Sequence, residues 1–467
     1  MKKGEVTAFL SLIFILLMAL VGGLIESASI QTAKNYKRAD MNRAMECVFA
    51  EYQKELLEDY GIFALEATYE CGRYDEKNIK ERLMYFGTGG MEHQIQKIQF
   101  LTDDGGKSFY EQILYYMEHK YGINILKDKI SMSEIWKKQE KKAEDYEKEE
   151  TEGWSHFENL MREENRELTE ENNPLQNVKK LKQTPVLTLI VPEEMKVSEK
   201  NIDQGSLLSD REKNRGYGDF SEEERDTGAL STLIFGEYLQ EFFTAAADEI
   251  SEESRMKKTK KKERLRALDY ELEYLCAGKT SDRENLESVA KKLLGLRFGV
   301  NYAFLQGSAS KQAEAHALAV TLCTLSAMPQ LEGAVEQVLL LSWAYGESVV
   351  DVRMLLKGHR IVTVKSEETW QLSLAGLMKL EEHGTVNDGE NSSKGMSYRD
   401  YLRILLFLEK KEKVGMRALD LIEQNLRSQY GFDFFKADYC ISKIQIESTC
   451  NLRRGIAYRF PTYYGYH

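Results

Sequence analysis

The run from Ala8 to Ile25, AFLSLIFILLMALVGGLI, restricts the chain more than any other stretch: its 18 residues include one polar side chain, Ser11. As a helix it is about 27 Å long, close to the hydrocarbon thickness of a bilayer. Glu5 and Glu26 bracket it, and Lys2 and Lys3 assign the short N-terminal end to the cytoplasmic side. Lys34, Lys37 and Arg38 follow on the other side and weaken that asymmetry. A cleaved export signal has a shorter apolar core and then a small-residue cleavage site. The apolar run here is longer, although Ser27–Ala28–Ser29 supplies such a site. A buried helix fits least well directly after two lysines. The leading expectation is a retained single-pass anchor. Residues 1–7 would be cytoplasmic, 8–25 would span the membrane, and the large C-terminal region would be extracellular. Cleavage stays open as the second reading.

The next segment extends the helix. Met41, Ala44, Met45, Val48, Phe49, Tyr52, Leu56 and Tyr60 recur every three or four residues and form one apolar stripe. No proline or glycine stands between Glu26 and Tyr60. The pattern predicts one helix over 5–60, with 26–60 as its extension and Gly61 as its C-cap. Only five prolines occur in 467 residues, which favours long helices throughout.

Residues 61–136 read as a mixed helical region. Residues 137–173 read as a charged helix or spacer, because KKQEKKAEDYEKEE mixes five lysines with six acids. The main α+β domain is expected over 174–467, with a polar loop at 201–228. Val186–Pro192 (VLTLIVP) is the clearest strand candidate. Ser281 with Glu284 predicts a capping box, and Leu286, Val289, Leu293, Leu296 and Val300 form the stripe of the helix that follows. Ser397 starts another amphipathic helix, and RIVTV after Gly358 reads as a strand. The last forty residues read as strands: Ile441, Ile444 and Ile446 alternate only in part, and Pro461 marks an edge strand before an aromatic tail. The fold class is α+β: a long N-terminal transmembrane helix, then a mainly helical extracellular region with a small antiparallel sheet.

Chemistry is harder to find. The formal charge of −12 argues against nucleic acid as the main partner, and the basic run RMKKTKKKERLR has no interleaved aromatics. None of the seven histidines stands in a metal-binding spacing, and no CxxC pair occurs. No G-x-S-x-G elbow, Walker loop, dinucleotide fingerprint or HExxH is present. Glu347 and Asp351 share a helix face, as do Arg297 and Asn301; in both cases structural pairing is the stronger expectation. No catalytic, cofactor or metal residue is assigned, and no enzyme activity is expected. Six buried thiols are the stronger expectation for the six cysteines; Cys440 and Cys450 are the best local disulfide candidates and Cys47 and Cys71 the next.

The opening segment KKGEVTAFLSLIFILLMALVGGLIESA resembles the N-terminus of TadE/TadG-like proteins, pseudopilin-like components of tight-adherence (Flp-type) pilus systems. Lys2, Lys3, Gly4 and Glu26 carry the match. The larger chain resembles DUF5702, a family of Gram-positive bacterial proteins, through NPLQNVKKLKQTPVLTLIVP, YLCAGKTSDRENLESVAKKLLGLRFGVNYAFL, WAYGESVVDVRMLLKG and YRFPTYYGYH. The resemblance implies a candidate processing site at Gly4 and Glu5. It departs from type IV prepilins because the fifth residue after Gly4 is Phe9, and the glutamate stands first. Gly22 and Gly23 would admit a second helix closely, and Glu26 completes the candidate assembly contacts. The expected role is a structural or assembly component of a Tad/Flp-type pilus or related secretion system. Membrane lipid and other components of that machine are its expected partners. The alternative is a membrane-tethered extracellular enzyme or binding module at the cell wall.

Overall fold

The computed structural model describes residues 3–121, 130–164, 175, 180, 182–220, 228–249, 265–380 and 395–466. It is mostly helical, with one small antiparallel sheet. The chain forms two compact units that do not follow chain order. The first gathers residues 1–115, 212–225 and 431–467, and the second holds 116–211 and 226–430. The C-terminal strands therefore fold with the N-terminal helix, whereas the sequence pattern groups them with the preceding helices.

In the first unit, helix α1 (Lys3–Phe49) carries the apolar run in its first half. Its second half buries Met41, Ala44, Met45, Val48 and Phe49, the predicted stripe. The helix does not continue to Tyr60. Gln53 is extended and its N–H donates to the Ala64 carbonyl, so the chain turns before the short helix α2 (Lys54–Tyr60). The break needs no proline or glycine, because tertiary hydrogen bonds replace the lost helical ones. The Tyr466 hydroxyl donates to the carbonyl of Phe49, an orphan acceptor at the end of α1. Gly61 closes α2 as expected, in the left-handed region at φ 69°.

The sheet is built on β3 (Cys440–Asn451). Strand β2 (Met91–Phe100) pairs along one side, and β1 (Leu65–Glu66) and β4 (Ala457–Gly465) pair along the other, all antiparallel. The partial alternation of isoleucines in β3 has a physical cause. Gln99 pairs with Lys443 and Phe100 with Ile441, so Ser442 is an extra residue. That bulge lets Ile441 and Ile444, three apart, both face the core. Pro461 stands on β4 opposite Glu447, and β4 has β3 as its strand partner among the described residues. Helix α3 (Glu76–Leu83) adds Ile79 and Leu83 to the same core. Helix α4 (Lys107–Tyr121) begins in the first unit and ends in the second.

The second unit packs the helices Asp282–Gly307 and Glu332–Leu356 beside α5 (Ile130–Glu164) and Ala309–Leu325. The side chain of Ser281 accepts from the Glu284 N–H at 3.3 Å, the first half of the expected box. The reciprocal box is instead complete at Ser397 and Asp400, which open the helix Tyr398–Leu408. VLTLIVP is not a strand. Val186–Ile190 is one helical turn with Leu187, Leu189 and Ile190 buried, and the Leu189 carbonyl accepts from Arg353. A short apolar run has no periodicity of its own, and its helical neighbours decide its conformation. RIVTV also forms no strand; Ile361 makes a single bridge to Met396. The charged helix-or-spacer segment is helical from residue 137 to Glu164, as part of α5, and its remainder and the basic run up to Arg264 lie outside the described residues.

Ile444 on β3 is fully buried in the core that the sheet shares with α1. Ile444→Ala is expected to cost about 2–5 kcal/mol. Tyr466→Phe, which removes only the hydroxyl from the Phe49 carbonyl, should cost about 1 kcal/mol. Chemical denaturation of the detergent-solubilised protein checks both, and equal costs would mean that the cap outweighs its physical expectation.

Candidate anchoring and assembly site

Along the first half of α1, the large apolar side chains from Val6 to Ile25 are exposed, among them Phe9 at 64% and Ile25 at 65%. The segment is long and apolar enough to cross a membrane. Gly4 and Glu5 lie in the first turn of the helix, and Met1 and Lys2 lie outside the described residues. A Cβ built on Gly22 or Gly23 would meet nothing within 4 Å, so that face is open.

Burial of the helix begins at Glu26, whose carboxylate pairs with the Arg454 guanidinium. From there β4 runs alongside α1 in the same direction. Lys34 lies 5.1 Å over the Tyr458 ring, and Arg38 lies over both Tyr458 and Phe460. At the far end Phe49 meets Tyr464 at 4.4 Å and Tyr466 at 5.3 Å between ring centroids. The register is physically consistent. Glu26 to Phe49 spans about 35 Å of helix and Arg454 to Tyr466 about 40 Å of strand. One helix thus has a bare apolar half and a half held along its length by the sheet.

The candidate Cys440–Cys450 disulfide is not formed. Both residues are thiols on β3, ten positions apart on one extended strand, about 33 Å from end to end. A disulfide needs Cα atoms within about 7 Å. Their sulfurs donate instead to the Lys436 and Tyr458 carbonyls. Cys47 and Cys71 are thiols as well.

The second unit holds a cluster that sequence spacing only partly exposed. Glu347 and Asp351 do share a helix face, fully buried. Lys365 reaches both, at 2.5 and 2.8 Å, and Arg297 binds Asp351 at 2.8 Å. Asn301 donates to Asp351 and to Ser348, and Arg297 also donates to Tyr401 and the Val362 carbonyl. Arg353 points elsewhere, to the Leu189 carbonyl. Burial pushes Glu347 up, against the attraction of Lys365. Burial also opposes the charge on Asp351, but Arg297 and Lys365 outweigh it and hold that carboxyl low. Lys365 could not be assigned from sequence, since it stands on a connection with no periodic pattern. The network has two cations for two carboxylates and satisfies its donors internally. Beside it is a cavity of about 20 Å³ lined by Arg297, Thr363 and Tyr401, enough for one water molecule. Among the described residues no group of three or more His, Cys, Asp or Glu side chains could hold a metal ion.

Glu273 is a separate buried acid. Desolvation pushes it up to about 7, against donation from the Ala246 N–H and the Tyr398 hydroxyl.

A profile of the DUF5702 family, described as a family of unknown function, matches residues 164–452, more than half of the chain. No curated protein matches, and no solved structure matches.

Two outcomes test the second unit. Lys365→Met leaves Glu347 and Asp351 with one cation fewer and is expected to destabilise by about 3–5 kcal/mol in urea unfolding. Glu273 binds its proton more tightly folded than unfolded. Its contribution is full below about 4.5 and is lost as pH rises through about 7, roughly 3 kcal/mol over that window. Glu273→Gln should flatten the fall in stability between those pH values, and an unchanged slope would assign it to another group.

Proposed function

The chain belongs to DUF5702, a family of unknown function, and we propose that it is a membrane-anchored, pseudopilin-like structural or assembly component of a Tad/Flp-type pilus or related secretion system. The observation that carries this reading is the division of α1. Its first half is apolar and bare, and its second half is packed on an antiparallel sheet. Such a helix can sit in a bilayer and later enter an apolar helical assembly without disturbing the sheet. The open face at Gly22 and Gly23 allows a second helix to approach. The N-terminus stays on the cytoplasmic side, and the chain beyond Ile25 lies outside the cell. The resemblance of the first residues to TadE/TadG-like proteins supports the same role.

Carbonate extraction of membranes should leave the protein in the pellet, and replacing 8–25 with a soluble helix should release it. N-terminal sequencing of the native protein then separates its modes of use. A start at Glu5 means prepilin-type processing before assembly, and a start at Met1 means a retained anchor. A start near Ser29 would remove the membrane helix and sink the proposal.

A further inference from the structure

We propose that the turn Arg453–Gly455 at the tip of the β3–β4 hairpin is a docking site for the headgroups of anionic phospholipids. The inference rests on the anchor reading and adds a second membrane contact to it. The first argument is position. Glu26 directly follows the last apolar residue of the run, and it holds Arg454. The headgroup layer extends about 5–7 Å beyond the hydrocarbon on each side, so the hairpin tip lies within it. The second argument is composition. Arg453, Arg454 and Gly455 are exposed, and Ile456, an apolar residue 37% exposed, stands beside them. Arginine with an adjacent exposed aliphatic side chain suits an interface that is charged on one side and oily on the other.

The third argument is backbone strain. Arg454 is in the left-handed region at φ 60°, and Gly455 follows at φ 73°. Glycine or asparagine occupies the first of these positions more easily. The arginine kept there is turned onto Glu26, and Arg453 beside it, unpaired among the described residues, carries the turn's charge toward the membrane; the Leu452 N–H closes the turn by donating to the Ile456 carbonyl at 2.8 Å.

Charge around the tip agrees. Glu26 is neutralised by Arg454, and Glu447 faces Arg459 at 3.7 Å. Glu92, opposite Thr449 on β2, is an exposed acid near this end of the sheet. Lys34, Lys37 and Arg38 follow on α1 and continue the basic surface away from the bilayer. Arg453, at the height of the headgroups, is attracted to an anionic leaflet by about fivefold in contact at moderate salt.

The test uses the full chain in lipid nanodiscs. Ile456→Cys, in a background of Cys47→Ser and Cys71→Ser, carries a fluorophore, and the discs contain a lipid with a nitroxide on its headgroup. Quenching is expected to be stronger in discs containing phosphatidylglycerol than in phosphatidylcholine alone. Arg453→Glu should reduce the difference about fivefold, and high salt should remove it. A label at Tyr463→Cys, near the other end of β4, should report no headgroup contact. Equal quenching in neutral and anionic discs, or insensitivity to Arg453→Glu, overturns the lipid site while the anchor stands. A chain that does not enter the discs defeats the anchor reading itself, and the lipid site with it.

Discussion

The packing of the second half of α1 on the sheet is the contact on which the first unit depends. Met41, Met45, Val48 and Phe49 share one core with the isoleucines of the sheet and with Ile79 and Leu83 of α3. The sheet that covers them is centred on β3, nearly four hundred residues later in the chain. This core therefore closes only after the whole second unit has been made. Bringing the ends of so long a loop together costs conformational entropy, but that cost grows only logarithmically with length. Aromatic contacts between Phe49, Tyr464 and Tyr466 and the hydroxyl cap on Phe49 help to offset it.

That closure couples the apolar half of α1 to the sheet. A bare helix joined by a flexible linker would move independently of what it carries. Here the helix is continuous from the apolar run into the core, with the hairpin beside it from Glu26 to Phe49. Displacement of the anchor along its axis is passed to the sheet. The open strand edge on β4 contains Pro461, which lacks a donor and discourages addition of a foreign strand.

The second unit relies on a different constraint. Arg297, Asp351, Lys365 and Glu347 are buried among apolar helices, where one unpaired charge would be costly. Their mutual pairing sets the register of Asp282–Gly307 against Glu332–Leu356 and ties the connection carrying Lys365 to both. Part of this was legible in the spacing of Arg297 with Asn301 and of Glu347 with Asp351. Lys365 was not, because a loop residue meets its partners only through the path of the backbone. The strand expected at Val186 failed for a related reason. Five apolar residues match strand and helix equally well, and the buried turn accepts Arg353 at its carbonyl.

By itself the sequence determined the features that depend on local pattern. These are the apolar run, the stripe from Met41 to Phe49, the N-caps at Ser281 and Ser397, the C-cap at Gly61 and the edge character of β4. Each follows from spacing or from a residue's own backbone preference. Only the tertiary structure decided where α1 ends, that the last strands cover its stripe, and that Cys440 and Cys450 lie apart on one strand. It alone brought Arg454 to Glu26. These are contacts between distant segments, and they are set by which surfaces remain to be buried once the local elements have formed.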